Sequence, residues 1–101
     1  AVIALTPGSR GTLKLKSRDI RTAPRIDPAL LSDSAGTDRL VMSFGLQLAR
    51  QIANTEPLSL AAGDEIEPGT SCGNWEAQQD WLNQSVQTVY HPAGTCRMGT
   101  G

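Results

Sequence analysis

The chain has 101 residues, which permits one domain at most, and a domain of that size buries only about 60–70% of its unfolded surface. A formal net charge of −1 excludes whole-chain attraction to nucleic acid or an anionic membrane, and no apolar run approaches the roughly 20 residues needed to span a bilayer. Cys72 and Cys96 lack the paired spacing of a zinc site or redox dithiol, and one histidine cannot complete a metal site, so no metal is expected.

Ala1 to Leu5 is a short apolar run, β-branched at Val2 and Ile3, and it ends in the turn-forming Thr6-Pro7-Gly8-Ser9. It reads as a buried strand. Thr12 to Ser17 alternates polar and apolar residues, placing Leu13 and Leu15 on one face and the lysines on the other, as a half-exposed strand would. The two runs are expected to pair as a hairpin, with the register left open by the long connection around Ser9-Arg10-Gly11. Pro24 and Pro28 bracket an extended piece.

Positions 1–50 carry a net +4 and positions 51–101 a net −5. The basic residues Arg10, Lys14, Lys16, Arg18, Arg21 and Arg25 have no interleaved aromatics on which bases could stack, so they read as a solvated strand face that discourages edge pairing. From Thr37 to Asn54 the residues Leu40, Val41, Phe44, Leu48 and Ile52 recur at helical spacing and predict an amphipathic helix packed on a core. Ser32, Asp33, Ser34 or Thr37 can cap its start, and Pro57 limits its end. A loop with solvated acids is expected from Glu56 to Gly73, and a second helix from Asn74, its cap, to Ser85. Gln87 to Tyr90 then favours a strand that delivers His91 at its end. This order gives an α+β fold, and no G-x-G-x-x-G turn is present.

His91 opens the run His91-Pro92-Ala93-Gly94-Thr95-Cys96-Arg97-Met98-Gly99. Proline restricts the preceding residue to extended geometry, and Gly94 and Gly99 offer left-handed or close-approach backbone, so the turn can hold an imidazole still. Imidazole is the side chain whose ordinary titration lies near neutrality, which suits proton transfer. Judged by residue type alone, a turn histidine is more often structural than catalytic. Cys96, five residues on, raises a competing reading as a nucleophilic Cys–His pair, although no third, orienting group is evident.

Together, Gln87-Thr88-Val89-Tyr90 and the His91 run closely resemble the signature near the C-terminus of the glucose-methanol-choline (GMC) flavoprotein oxidoreductases. Ser9-Arg10-Gly11-Thr12-Leu13, Pro24-Arg25-Ile26-Asp27-Pro28 and Leu31-Ser32-Asp33 recur in that family's order, so the resemblance covers most of residues 1–101. It implies a partial GMC substrate-side region, a mostly antiparallel sheet with two flanking helices, while the FAD-binding domain lies outside the chain. In this family FAD accepts hydride from an alcohol and the motif histidine manages the hydroxyl proton, a catalytic role that falls on His91. Val89 and Tyr90 are the implied substrate contacts. Cofactor-binding residues, and the second catalytic His or Asn, are expected outside the chain, whose two ends look cut.

The partners so implied are a small-molecule alcohol and an electron acceptor, either oxygen or a quinone-like molecule. The alternative is a non-catalytic binding or structural module derived from the family. With no disulfide framework, a reducing, cytoplasmic compartment is the expectation.

Overall fold

A computed structural model describes residues 1–99. In chain order it contains β1 (Thr12–Lys14), β2 (Arg25–Asp27), α1 (Thr37–Ala53), α2 (Leu58–Ala61) and α3 (Trp75–Ser85). The two strands pair antiparallel, with Thr12 opposite Asp27, Leu13 opposite Ile26 and Lys14 opposite Arg25. The α+β class expected from the sequence is therefore present, with the proline-bracketed piece serving as the second strand.

The hairpin between residues 1–5 and 12–17 does not form, and Ala1–Leu5 is not a strand. Two interactions draw this run onto α1. The Asp38 carboxylate, in the first turn of α1, accepts hydrogen bonds from the amides of Gly8 at 2.7 Å and Ser9 at 2.8 Å, and from the Ser9 hydroxyl. Val2 packs so closely on Gly45 that a β-carbon there would collide with its methyl group. The vacated place beside β1 goes to β2, and Gly11 allows the close approach because its α-carbon faces the Asp27–Pro28 backbone.

Helix α1 begins where Asp33 accepts the amides of Thr37 at 2.6 Å and Asp38 at 3.2 Å, while Gly36 takes the left-handed turn just before. Asp33, one of the four residues able to cap the helix, supplies the acceptors from one turn upstream. At its other end Asn54 is the C-cap. The helical period is as read, but the face is not. Leu40, Val41, Phe44, Leu48 and Ile52 are largely exposed, Phe44 to 68%. The face turned towards the rest of the chain is the one bearing Arg39, Ser43, Leu46, Arg50 and Ala53. There the Gln79 amide of α3 donates to the Ser43 hydroxyl at 2.9 Å, and Leu46, Cys72 and Leu82 form the buried apolar set.

Arg50 sets the course of the acidic loop. Its guanidinium donates to both carboxylate oxygens of Glu65 at 2.9–3.1 Å, and to the carbonyls of Cys72 at 3.0 Å and Gly69 at 3.2 Å. Glu65 is thus an ion-pair partner and not a merely solvated acid, and the loop also contains the short helix α2. Helix α3 starts as expected, with the Asn74 side chain accepting the Ala77 amide at 2.8 Å. The whole is elongated, 58 × 29 × 24 Å, with a radius of gyration of 17.7 Å where a compact chain of this length has about 13 Å.

Candidate active site

The histidine segment is launched by α3. That helix is held to α1 through Ser43 and Gln79, and it closes where the Val86 amide donates to the Leu82 carbonyl at 3.0 Å. Val86 then turns to extended backbone. The expected strand over Gln87–Tyr90 does not form, because a strand is a ladder and no segment among the described residues lies alongside to supply the second rail. Instead the chain bends at Tyr90, whose φ is +65°, and the Tyr90 amide donates to the Thr88 hydroxyl at 2.8 Å. The Thr88 hydroxyl escaped the sequence reading. Its signal was a hydroxyl residue two places before the turn, the spacing of a side-chain-to-backbone turn.

Val89, Tyr90 and His91 follow one another on this bend and all three face outward, Tyr90 to 86% and Val89 to 48%. The three candidate residues, consecutive in sequence, thus lie on one open stretch. Among the described residues the imidazole of His91 has no hydrogen bond or ion pair with another side chain. Beyond Pro92 the run turns again: Gly94 has φ +94°, and the Arg97 amide donates to the Gly94 carbonyl at 3.4 Å. Gly94 uses the freedom anticipated for it, whereas Gly99 has no positive φ. A neutral imidazole exposed on a glycine- and proline-shaped bend can accept a proton, at its unprotonated nitrogen, from a ligand laid against it.

Cys96 is exposed and Cys72 is buried, and both are free thiols. Cys72 donates weakly to the Ala77 carbonyl at 3.6 Å. Cys96 makes no hydrogen bond to His91 among the described residues, so the nucleophile–base contact that a cysteine enzyme needs is not assembled.

Two open grooves lie elsewhere on the chain. One, of about 480 Å³, sits between Leu5, Pro7, Asp33 and the start of α1 at Asp38 and Val41. The other, of about 440 Å³, is lined by Leu48, Ile52, Pro57 and Leu58. Neither is lined by His91. The lining of the first includes Asp38, which is tied to the main chain of Gly8 and Ser9. Burial alone would raise its carboxyl, but the hydrogen bonds from Ser9 and Gly8 and the positive charge of Arg10 outweigh burial and hold it below the usual carboxylate range.

The flavin dinucleotide implied by the resemblance can be tested against these residues. A pyrophosphate is commonly held by free amides at a helix N-terminus. Here the first amides of α1 are taken by Asp33 and the Ala77 amide of α3 by Asn74, while Asp38 and Glu76 place negative charge in both first turns. Among the described residues, then, these first-turn amides of α1 and α3 are not free for the phosphates of the cofactor.

Residues 7–101 match the family described as GMC oxidoreductase. A choline oxidase of Arthrobacter globiformis is 42% identical over 101 residues, covering 95% of this chain and 18% of that protein. An uncharacterized GMC-type oxidoreductase of Mycobacterium bovis is 40% identical over 99 residues, covering 97% of this chain and 19% of its own length. An oxygen-dependent choline dehydrogenase of Cronobacter sakazakii is 35% identical over 94 residues, covering 91% of this chain and 16% of that protein. The chain thus spans less than a fifth of the length of these relatives. Since the match runs through both strands, all three helices and the histidine bend, the chain belongs to the GMC oxidoreductase family and corresponds to its C-terminal region.

Proposed function

We propose that this chain is the substrate-side part of an FAD-dependent oxidoreductase that acts on the CH–OH group of a small alcohol, with His91 taking the hydroxyl proton. The observation that carries the reading is the exposed imidazole of His91, without a hydrogen-bond partner among the described residues, within the family-matched motif and flanked by the exposed Val89 and Tyr90. A proton leaving the alcohol oxygen for an imidazole nitrogen raises electron density on that oxygen and eases departure of hydride from the neighbouring carbon. Positioned acid–base help of this kind accelerates reactions typically 10²–10⁴-fold. FAD, gripped by residues elsewhere in the protein, supplies the two-electron acceptor chemistry. Val89 and Tyr90 supply apolar and aromatic surface beside the reacting hydroxyl.

Two of the three relatives named above specify choline, and one of these is called oxygen-dependent, so choline is the first alcohol to offer and oxygen the first acceptor, ahead of a quinone-like one. The 101 residues alone are proposed to be inactive: they span less than a fifth of the length of these relatives, and the first-turn amides of α1 are already taken by Asp33. The test uses the protein in its full length: the flavin should bleach under anaerobic choline, and His91→Ala should slow that bleaching by at least about a hundredfold. Undiminished bleaching in the variant would leave the segment a structural or binding module.

A further inference from the structure

Tyr90 holds a backbone angle that L-residues with side chains rarely adopt, φ +65°, directly before His91. No strand ladder supports it, since Gln87 to Val89 pair with nothing among the described residues. What holds the bend is the Thr88 hydroxyl, which accepts the Tyr90 amide at 2.8 Å. On the far side Pro92 confines His91 to extended geometry. Between the end of α3 and Pro92, the direction in which His91 leaves the chain therefore depends on the Tyr90 bend, and the bend depends on one side-chain acceptor.

We propose that Thr88 is a positioning residue for His91. It acts through the Tyr90 main chain and does not itself touch the substrate. Were Tyr90 to relax to extended geometry, side chains along 88–91 would alternate between two faces, and Tyr90 and His91 would point to opposite sides. The left-handed bend breaks that alternation and lets neighbouring side chains serve one site. Glycine at position 90 would adopt the bend without strain but would remove the aromatic surface. A tyrosine fixed by an upstream hydroxyl keeps both.

The requirement on Thr88 is an acceptor oxygen on its β-carbon, which serine retains and valine, of nearly the same shape, lacks. The proposal rests on the reading of His91 as proton acceptor, and the experiment separates the two. In the full-length flavoprotein with choline as substrate, Thr88→Val should lower kcat about tenfold, with KM moving less than about twofold and Thr88→Ser retaining wild-type turnover. A structural role for the side chain's bulk would give the opposite order, with valine tolerated and serine impaired, and would overturn the proposal. Equal turnover in all three proteins, alongside an inactive His91→Ala variant, would overturn it while leaving the proton role of His91 intact. An active His91→Ala variant would remove the reading beneath it. Amide exchange in the wild-type protein needs no variant to fold: the Tyr90 amide should be protected, and exchange at the unstructured rate would also overturn the proposal.

Discussion

Replacing Asp38 by alanine removes the shared acceptor of three hydrogen bonds that fasten the Pro7–Gly11 turn to the start of α1. The Ser9 hydroxyl is fully engaged, donating to Asp38 while accepting the amides of Ser32 at 2.8 Å and Asp33 at 3.1 Å, so the loss spreads to the residues that lead into α1. Each hydrogen bond to a charged group contributes about 1.5–3 kcal/mol, but Gly8 is exposed and its freed amide returns to water. We therefore expect a cost of about 3 kcal/mol for the set, well under the sum of three independent bonds. That corresponds to local opening about 150-fold more frequent, readable as hydrogen exchange at the Gly8 and Ser9 amides. Asp38→Asn, which keeps one neutral acceptor, should fall between wild type and alanine. The pH dependence has a fixed sign. Because the folded carboxyl titrates below the usual range, its stabilisation is complete above the unfolded value of about 3.9 and is lost as pH falls through the depressed folded value. Exchange at Gly8 and Ser9 in Asp38→Ala within about threefold of wild type would refute the reasoning.

Other consequences are open to the same kinds of measurement. Asn74→Ala should cost about 1 kcal/mol and expose the Ala77 amide to exchange, because it removes the only side-chain cap of α3 among the described residues. Gly11→Ala should loosen the β1–β2 pair by about 2 kcal/mol and deprotect the strand amides, since the added β-carbon would meet the Asp27 carbonyl and Pro28 backbone rather than a side chain that can swing away. The 101 residues expressed alone should bind a hydrophobic dye such as ANS and show no saturable micromolar FAD binding, and tight binding with alcohol-dependent bleaching would contradict the proposed division of labour. The dye expectation follows from the exposed stripe of Leu40, Phe44, Leu48 and Ile52 and from a buried apolar set that, among the described residues, is Leu46, Cys72 and Leu82.

Both long helices were legible in the sequence because their periodicity and caps are local: Asn74 caps α3 as its position implies, and α1 runs from Thr37 to Ala53 against an expected Thr37–Asn54. Strands depend on partners far along the chain, and there local pattern failed. Ala1–Leu5 has strand composition yet lies on α1 through the contact of Val2 with Gly45, and Asp38 fastens the Gly8–Ser9 turn that follows it. Gln87–Tyr90 has strand composition yet no neighbour among the described residues, so a side-chain hydrogen bond governs its shape. The apolar stripe of α1 was visible as a period, but a period does not say which face the rest of the same chain will cover. In this chain the polar Ser43 and Arg50 make that contact, through Gln79 and through the loop carbonyls. The proposed site residues Val89, Tyr90 and His91 are contiguous, so their nearness to one another is a matter of sequence. Their geometry is not, since the angle at Tyr90 depends on Thr88.

The most direct test of the account is anaerobic single-turnover reduction of the flavin by choline in the full-length protein, comparing wild type with His91→Ala. Proton removal by His91 predicts flavin reduction slower by at least about a hundredfold in the variant, with bound flavin and folded structure unchanged. Reduction at the wild-type rate would contradict it.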